Sequence, residues 1–159
     1  MDRRRVVITG LGAVTPIGLS MEESWAAVKA GVCGVAPITQ YDTAQQKVKL
    51  AAEVKGFDPE TYMSKAEARR MSRFIQFAAA AAKETMVDAG LDKESINPDR
   101  CGVIVSSGIG GQTVTVSEQL RGMERGFDKV SPFYVPTAIS NMAAGQIRSE
   151  EHTSELQSL

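Results

Sequence analysis

Ten residues, Val103 to Gln112 (VIVSSGIGGQ), constrain this chain more than any other stretch. Val103, Ile104 and Val105 are consecutive β-branched residues, which fits a strand buried on both faces in a helix-covered α/β sheet. Gly108, Gly110 and Gly111 follow in the turn at its carboxyl end, where open α/β sheets place ligands. Glycine there permits positive φ and lets another chain or a substrate approach the backbone.

Two more strands are expected around this one. Arg5–Thr9 is a short apolar run, and Val48–Val54 alternates with one more polar face. The first exits through Gly10-Leu11-Gly12, the opening of a dinucleotide fingerprint. Thr15 stands where that fingerprint needs its third glycine, so a tight turn and a nucleotide site both remain as readings. Ser20 and Glu23 form a capping box for a helix with Met21, Trp25 and Val28 on one face, Trp25 in the core and Gly31 as the stop. Cys33–Gln46 reads as loop. Asp58-Pro59-Glu60 opens a short helix to Tyr62. Ser64 and Glu67 cap a long one ending at Gly90, with Lys65, Arg69 and Arg70 at its start and an apolar body after Met71. Its five alanines, Ala78–Ala82, allow a neighbour to come very close. Asn97-Pro98-Asp99 is a turn. Gln112–Met123 reads as a helix with Val116 and Leu120 inward and Glu118, Arg121 and Glu124 outward. Gly126–Pro132 and the apolar cluster Phe133–Pro136 read as loop, the cluster buried against something outside its own stretch. Ser140 starts a helical pattern that Gly145 and Gln146 interrupt.

Composition narrows the function classes. With 159 residues, 43% apolar and 23% charged, the chain is one domain or a piece of one. No apolar run approaches the ~20 residues of a membrane span, and the start carries no leader, which suggests a cytoplasmic protein. The net charge of −1 gives no bulk attraction to nucleic acid. Cys33 and Cys101 lack CxxC spacing and are expected to be small buried residues. Residues 1–147 contain no histidine, GxSxG elbow, P-loop or HExxH, and neither cysteine has an evident activating base. No reaction follows from these residues alone. A binding module using Arg69, Arg70 and the glycine loop, and a Rossmann-type dehydrogenase, stay open as alternatives.

Arg148–Leu159 (RSEEHTSELQSL) has neither helical nor strand period and holds the only histidine, His152. It reads as a non-native, adapter-like tail on a domain of residues 1–147.

Four blocks, RRVVITGLGAVTPIG, RRMSRFIQFA, SSGIGG and SPFYVPTAISNMAAG, resemble in order those of the β-ketoacyl-acyl carrier protein synthases, over residues 3–147. The elongating synthase II type is the nearest likeness. The resemblance implies a thiolase-like fold, layered α-β-α-β-α in the full protein and present here as an incomplete first half. It implies a cytoplasmic homodimer with an acyl carrier protein as partner and no cofactor. The reaction is a decarboxylative condensation by a cysteine at a helix N-terminus and two histidines. None of those three matches a residue here, so no catalytic residue is expected and the chain should be an inactive fragment. By the same resemblance Ile109 and Phe133, with Gly108 and Gly110, line an acyl pocket, Phe133 also lies at a dimer interface, and Lys65, Arg69 and Arg70 receive the carrier protein.

Overall fold

A computed structural model describes residues 5–92 and 94–152, with 149–152 as backbone alone. In chain order the elements are α1 (Met21–Lys29), β1 (Val35–Pro37), β2 (Leu50–Ala52), α2 (Lys65–Ala68), α3 (Arg73–Asp88), α4 (Gln112–Arg125), α5 (Tyr134–Ala138) and α6 (Met142–His152). Short 3-10 turns at Pro59–Thr61, Pro98–Arg100 and Phe127–Lys129 connect them.

The core sits on α3. Ile75, Ala79 and Ala80 are buried on it, and Ala143 and Ile147 of α6 are buried as well. Met63, Ala68 and Met71 join Ile75, Ala79 and Ala143 in one cluster. Burying Ile75, only 2% exposed, contributes about 1.5–3 kcal/mol. The alanine run permits the expected close approach at Gly12, where a Cβ would run into the Ala81 carbonyl oxygen, and Gly10 lies equally close further along α3, where a Cβ would run into the Thr85 carbonyl oxygen. The N-terminal segment is also stapled to α3 electrostatically. Leu11 N–H donates to Asp88 Oδ2, and both oxygens of Glu84 accept, from Ala13 N–H and from Met21 N–H at the start of α1.

Helix ends follow local chemistry closely. Ser64 and Glu67 form the expected capping box. Gly31 and Gly90, at φ +70° and +65°, end α1 and α3. After each, the next amide reaches back into the helix, Val32 N–H to Ala27 and Leu91 N–H to Met86, closing Schellman motifs. Ser20 caps α1 by accepting from Glu23 N–H, but the Glu23 carboxylate accepts from Leu19 N–H rather than from Ser20.

Several expectations need correction. The helix opened by Ser64 is broken: Ser72 turns extended at ψ 161° and α3 starts afresh, while Gln76 Nε2 bridges the break by donating to the carbonyls of Ala68 and Met71. Cys33–Gln46 contains β1, which pairs antiparallel with β2, so the only part of Val48–Val54 that forms strand is Leu50–Ala52. Phe133–Pro136 enters α5, and α6 runs through Gly145 and on to His152, so Arg148–His152 is helical rather than aperiodic. Residues 153–159 of the expected tail, and the side chain of His152, lie outside the described residues.

Arg5–Thr9 and Val103–Val105 are not ladder strands among the described residues. Val6, Ile8 and Ile104 are 94%, 82% and 98% exposed. β-Branched residues favour an extended backbone, but strand status needs a hydrogen-bonded neighbour, and none is present there among the described residues; Val105 is part-buried against the core cluster while Ile104 stays exposed. Trp25, Cys33 and Cys101 are likewise exposed, not core. On α4 Arg121 and Glu124 are exposed as expected, but Val116 and Leu120 are about half exposed and Glu118 is buried.

Candidate functional site

The glycine loop is shaped by its own chain. Ser107 Oγ accepts from Gly110 N–H, and Gly110 adopts φ +76°. A Cβ on Gly110 would meet the Ala138 carbonyl oxygen at 2.5 Å, and one on Gly111 that of Thr137 at 2.6 Å. Gly111 N–H donates to Ala138 O at 2.8 Å. Of the two readings of these glycines, close approach of the chain itself therefore accounts for Gly110 and Gly111. Gly108 faces open space, and Ile109, between them, projects 72% exposed.

Phe133 precedes the other end of the same short helix and is 60% exposed. α5 is tied to the first turns of α4 at its C-terminal end by the Gly111–Ala138 bond and at its N-terminal end by Tyr134 Oη to Thr115 Oγ1 at 3.4 Å. Before α5, Ser131 N–H donates to Glu118 Oε2 at 2.8 Å. Ile109 and Phe133 are thus two apolar side chains carried on one hydrogen-bonded rack. Val116, Leu120 and Met123 on α4 extend the exposed apolar surface.

Of the expected basic residues, Lys65 opens α2, and Arg69 and Arg70 follow its last turn. Lys65 pairs loosely with Glu60 at 3.6 Å, and both partners are mostly exposed. Arg69 and Arg70 are exposed, and no ion pair engages either among the described residues. The nearby acid, Glu67, is committed to the cap: the Ser64 hydroxyl first and the Ser64 amide second hold its carboxyl below the usual range. Arg73 is held apart, its guanidinium 4.8 Å from the Phe77 ring centroid and 5.7 Å from that of Phe57, with a bond to Val54 O.

A groove of about 960 Å³ lies between α3, Cys101–Val105 and α6, lined by Ala78, Ala81, Thr85, Val103, Val105 and Gly145 among others. Ile109 and Phe133 are not in it. Among the described residues no group of three or more His, Cys, Asp or Glu could hold a metal ion. The nucleotide reading of Gly10-Leu11-Gly12 fails on geometry. The space a pyrophosphate would use is taken by α3, and the next helix begins only at Met21.

Glu118 is the site residue that the sequence reading misplaced. Gly111, Thr115, Glu118 and Gly122 recur at helical spacing, and that stripe of mostly small residues was the available signal for a face packed tightly on a neighbour.

Comparison with known proteins gives consistent matches. The family described as "Beta-ketoacyl synthase, N-terminal domain" matches residues 3–151. The 3-oxoacyl-[acyl-carrier-protein] synthase 2 of Vibrio cholerae serotype O1 is 44% identical over 147 residues, covering 92% of this chain and 36% of that protein. The protein of the same name from Staphylococcus aureus strain COL is 45% identical over 146 residues, covering 92% and 35%. The chain therefore spans about a third of the length of these curated relatives. Among solved structures, the ishigamide ketosynthase/chain length factor superposes with a TM-score of 0.79 at 27% identity, over 94% of this chain and 37% of its own. The architecture is that of the first part of the thiolase-like α/β fold.

Proposed function

The chain belongs to the β-ketoacyl synthase family, and from that premise we propose that it is the acyl-pocket and carrier-docking part of a 3-oxoacyl-acyl carrier protein synthase. The observation that carries this reading is the 44% identity over 147 residues to a 3-oxoacyl-[acyl-carrier-protein] synthase 2. In the proposed reaction an acyl group passes from its carrier to an enzyme cysteine. Malonyl-carrier then loses carbon dioxide, and the resulting carbanion attacks the acyl thioester. The new carbon–carbon bond leaves a 3-oxoacyl-carrier and a free cysteine thiol.

This chain's own residues bind and orient in that scheme. Ile109 and Phe133 present apolar walls to the acyl chain, Gly108 keeps the approach open, and Gly110 shapes the loop. The exposed face of Val116, Leu120 and Met123, continuous along α4, suits burial against a second subunit. Lys65, Arg69 and Arg70 meet the acidic carrier protein. Each exposed pair supplies only ~0–1 kcal/mol, so docking needs several together. Cys33 and Cys101 are not the nucleophile, and catalysis belongs to residues this chain does not supply. The boundary of the native domain at Ile147 is part of the same proposal, and resequencing the source DNA past that codon tests it.

A condensation assay with acyl-carrier and malonyl-carrier tests the assignment. No turnover is expected from this chain alone, and release of carbon dioxide coupled to 3-oxoacyl-carrier would overturn the account of the missing catalytic groups.

A further inference from the structure

Glu118 is a buried carboxylate that the reaction scheme leaves without a role, and the hydrogen bond that holds the Phe133 amide leads back to it through Ser131. The residue is 8% exposed. Its Oε1 lies 2.9 Å from Arg121 Nη1, one helical turn on, and its Oε2 accepts from Ser131 N–H at 2.8 Å. Ser131 in turn holds Phe133 and Tyr134. Its hydroxyl accepts from Phe133 N–H at 3.2 Å, and its carbonyl accepts from Tyr134 N–H at 3.0 Å, the first residue of α5. The Phe133 carbonyl then accepts from Thr137 Oγ1 at 2.8 Å. Gly122 clears the space beside Glu118: a Cβ there would meet the Phe127 ring at 2.6 Å and Val130 Cγ2 at 3.2 Å, so the segment leading to Ser131 lies directly on α4.

We propose that Glu118 is a positioning residue for acyl-chain selection, anchoring Ser131 so that Phe133 stands in one orientation on the rack that also carries Ile109. The proposal rests on the reading of Ile109 and Phe133 as walls of an acyl pocket. Arg121 neutralises the carboxylate within the helix, which leaves Oε2 free to serve as a fixed acceptor. A glutamine can keep an acceptor in that place. An alanine leaves the part-buried Ser131 N–H without a partner, and a bond of this kind is worth roughly tenfold in a local opening equilibrium.

The test is made on the whole chain, unmodified and as Glu118→Ala and Glu118→Gln, with two readouts. Hydrogen exchange followed by mass spectrometry reports the segment 131–137. Displacement of cis-parinaric acid by saturated fatty acids of increasing length reports chain-length preference. Glu118→Ala should speed exchange in 131–137 about tenfold and flatten the length preference, while Glu118→Gln should restore both. Unchanged exchange in a folded Glu118→Ala chain overturns the proposal. Should that variant fail to fold, free-peptide exchange rates for 131–137 in the unmodified chain would overturn it equally. Faster exchange combined with no fatty-acid binding by the unmodified chain sinks the pocket reading, and the selection role with it, leaving only a structural anchor.

Discussion

Glu67 and Ser64 show how a single pair sets the start of an element. Two hydrogen bonds from Ser64 depress the Glu67 carboxyl, so the folded chain holds this group ionised more readily than the unfolded chain does. By linkage its contribution is fully present above the ordinary glutamate pKa and is lost as pH falls through the depressed value. The carboxylate is largely solvated, so the effect on global stability is small. Ser64→Ala removes the hydroxyl but keeps the backbone amide, so the Glu67 carboxyl should move up toward the ordinary range without fully reaching it, as followed by NMR titration of its side-chain carbonyl carbon, and the change should cost about 1 kcal/mol of stability. The glycines offer a sharper contrast. Gly12→Ala drives a methyl into the Ala81 carbonyl and should cost about 1–3 kcal/mol, whereas Gly108→Ala meets open space and should lie within about 0.5 kcal/mol of the parent in urea melts. Equal effects at the two sites would contradict the packing of the N-terminal segment on α3.

At the scale of elements, the helices were legible because their ends are written in local chemistry: Ser64 with Glu67, and Gly31 and Gly90 at positive φ; the alanine run in turn admits Gly12. Of the three expected strands, only Val48–Val54 contains a ladder strand among the described residues, at Leu50–Ala52. Val103–Val105 has the residues of a doubly buried strand, yet Ile104 is 98% exposed, because burial depends on partners elsewhere in a sheet and not on the run itself. The helical face of α4 was misread for a related reason. Apolar periodicity names the face that prefers burial, while the tight neighbour at Phe127–Ser131 admits only Gly122 and a hydrogen-bonded Glu118. Ile75→Ala, in the core of α3, should cost about 2–4 kcal/mol, and Ile104→Ala should change stability by less than about 0.5 kcal/mol. A large loss at Ile104 in a chemical melt would mean that the strand is covered in solution.

Across the molecule, exposed apolar groups outnumber what the small core on α3 conceals. Val6, Ile8, Ile104, Ile109, Met123, Phe127 and Phe133 are each at least 60% exposed. No backbone hydrogen bond engages Val6–Ile8 or Val103–Val105 among the described residues. Unpaired extended edges flanked by apolar side chains recruit other chains. Sedimentation velocity over a concentration series should therefore show self-association, and a single monomer boundary at every concentration would contradict this. The candidate site was legible in the sequence through the blocks around Ile109, Phe133, Arg69 and Arg70, all of which lie exposed. It was not legible in Glu118, whose role depends on a contact thirteen residues away across a loop.

The central claim, that this chain carries the carrier-docking surface of a β-ketoacyl synthase without its chemistry, is tested most directly by titrating it with acyl carrier protein over a series of salt concentrations, alongside an Arg69→Glu/Arg70→Glu double variant. Binding should be measurable at low salt, weaken as salt rises, and fall about tenfold in the double variant. Binding that is indifferent to both salt and charge reversal, or absent at low salt, would contradict it.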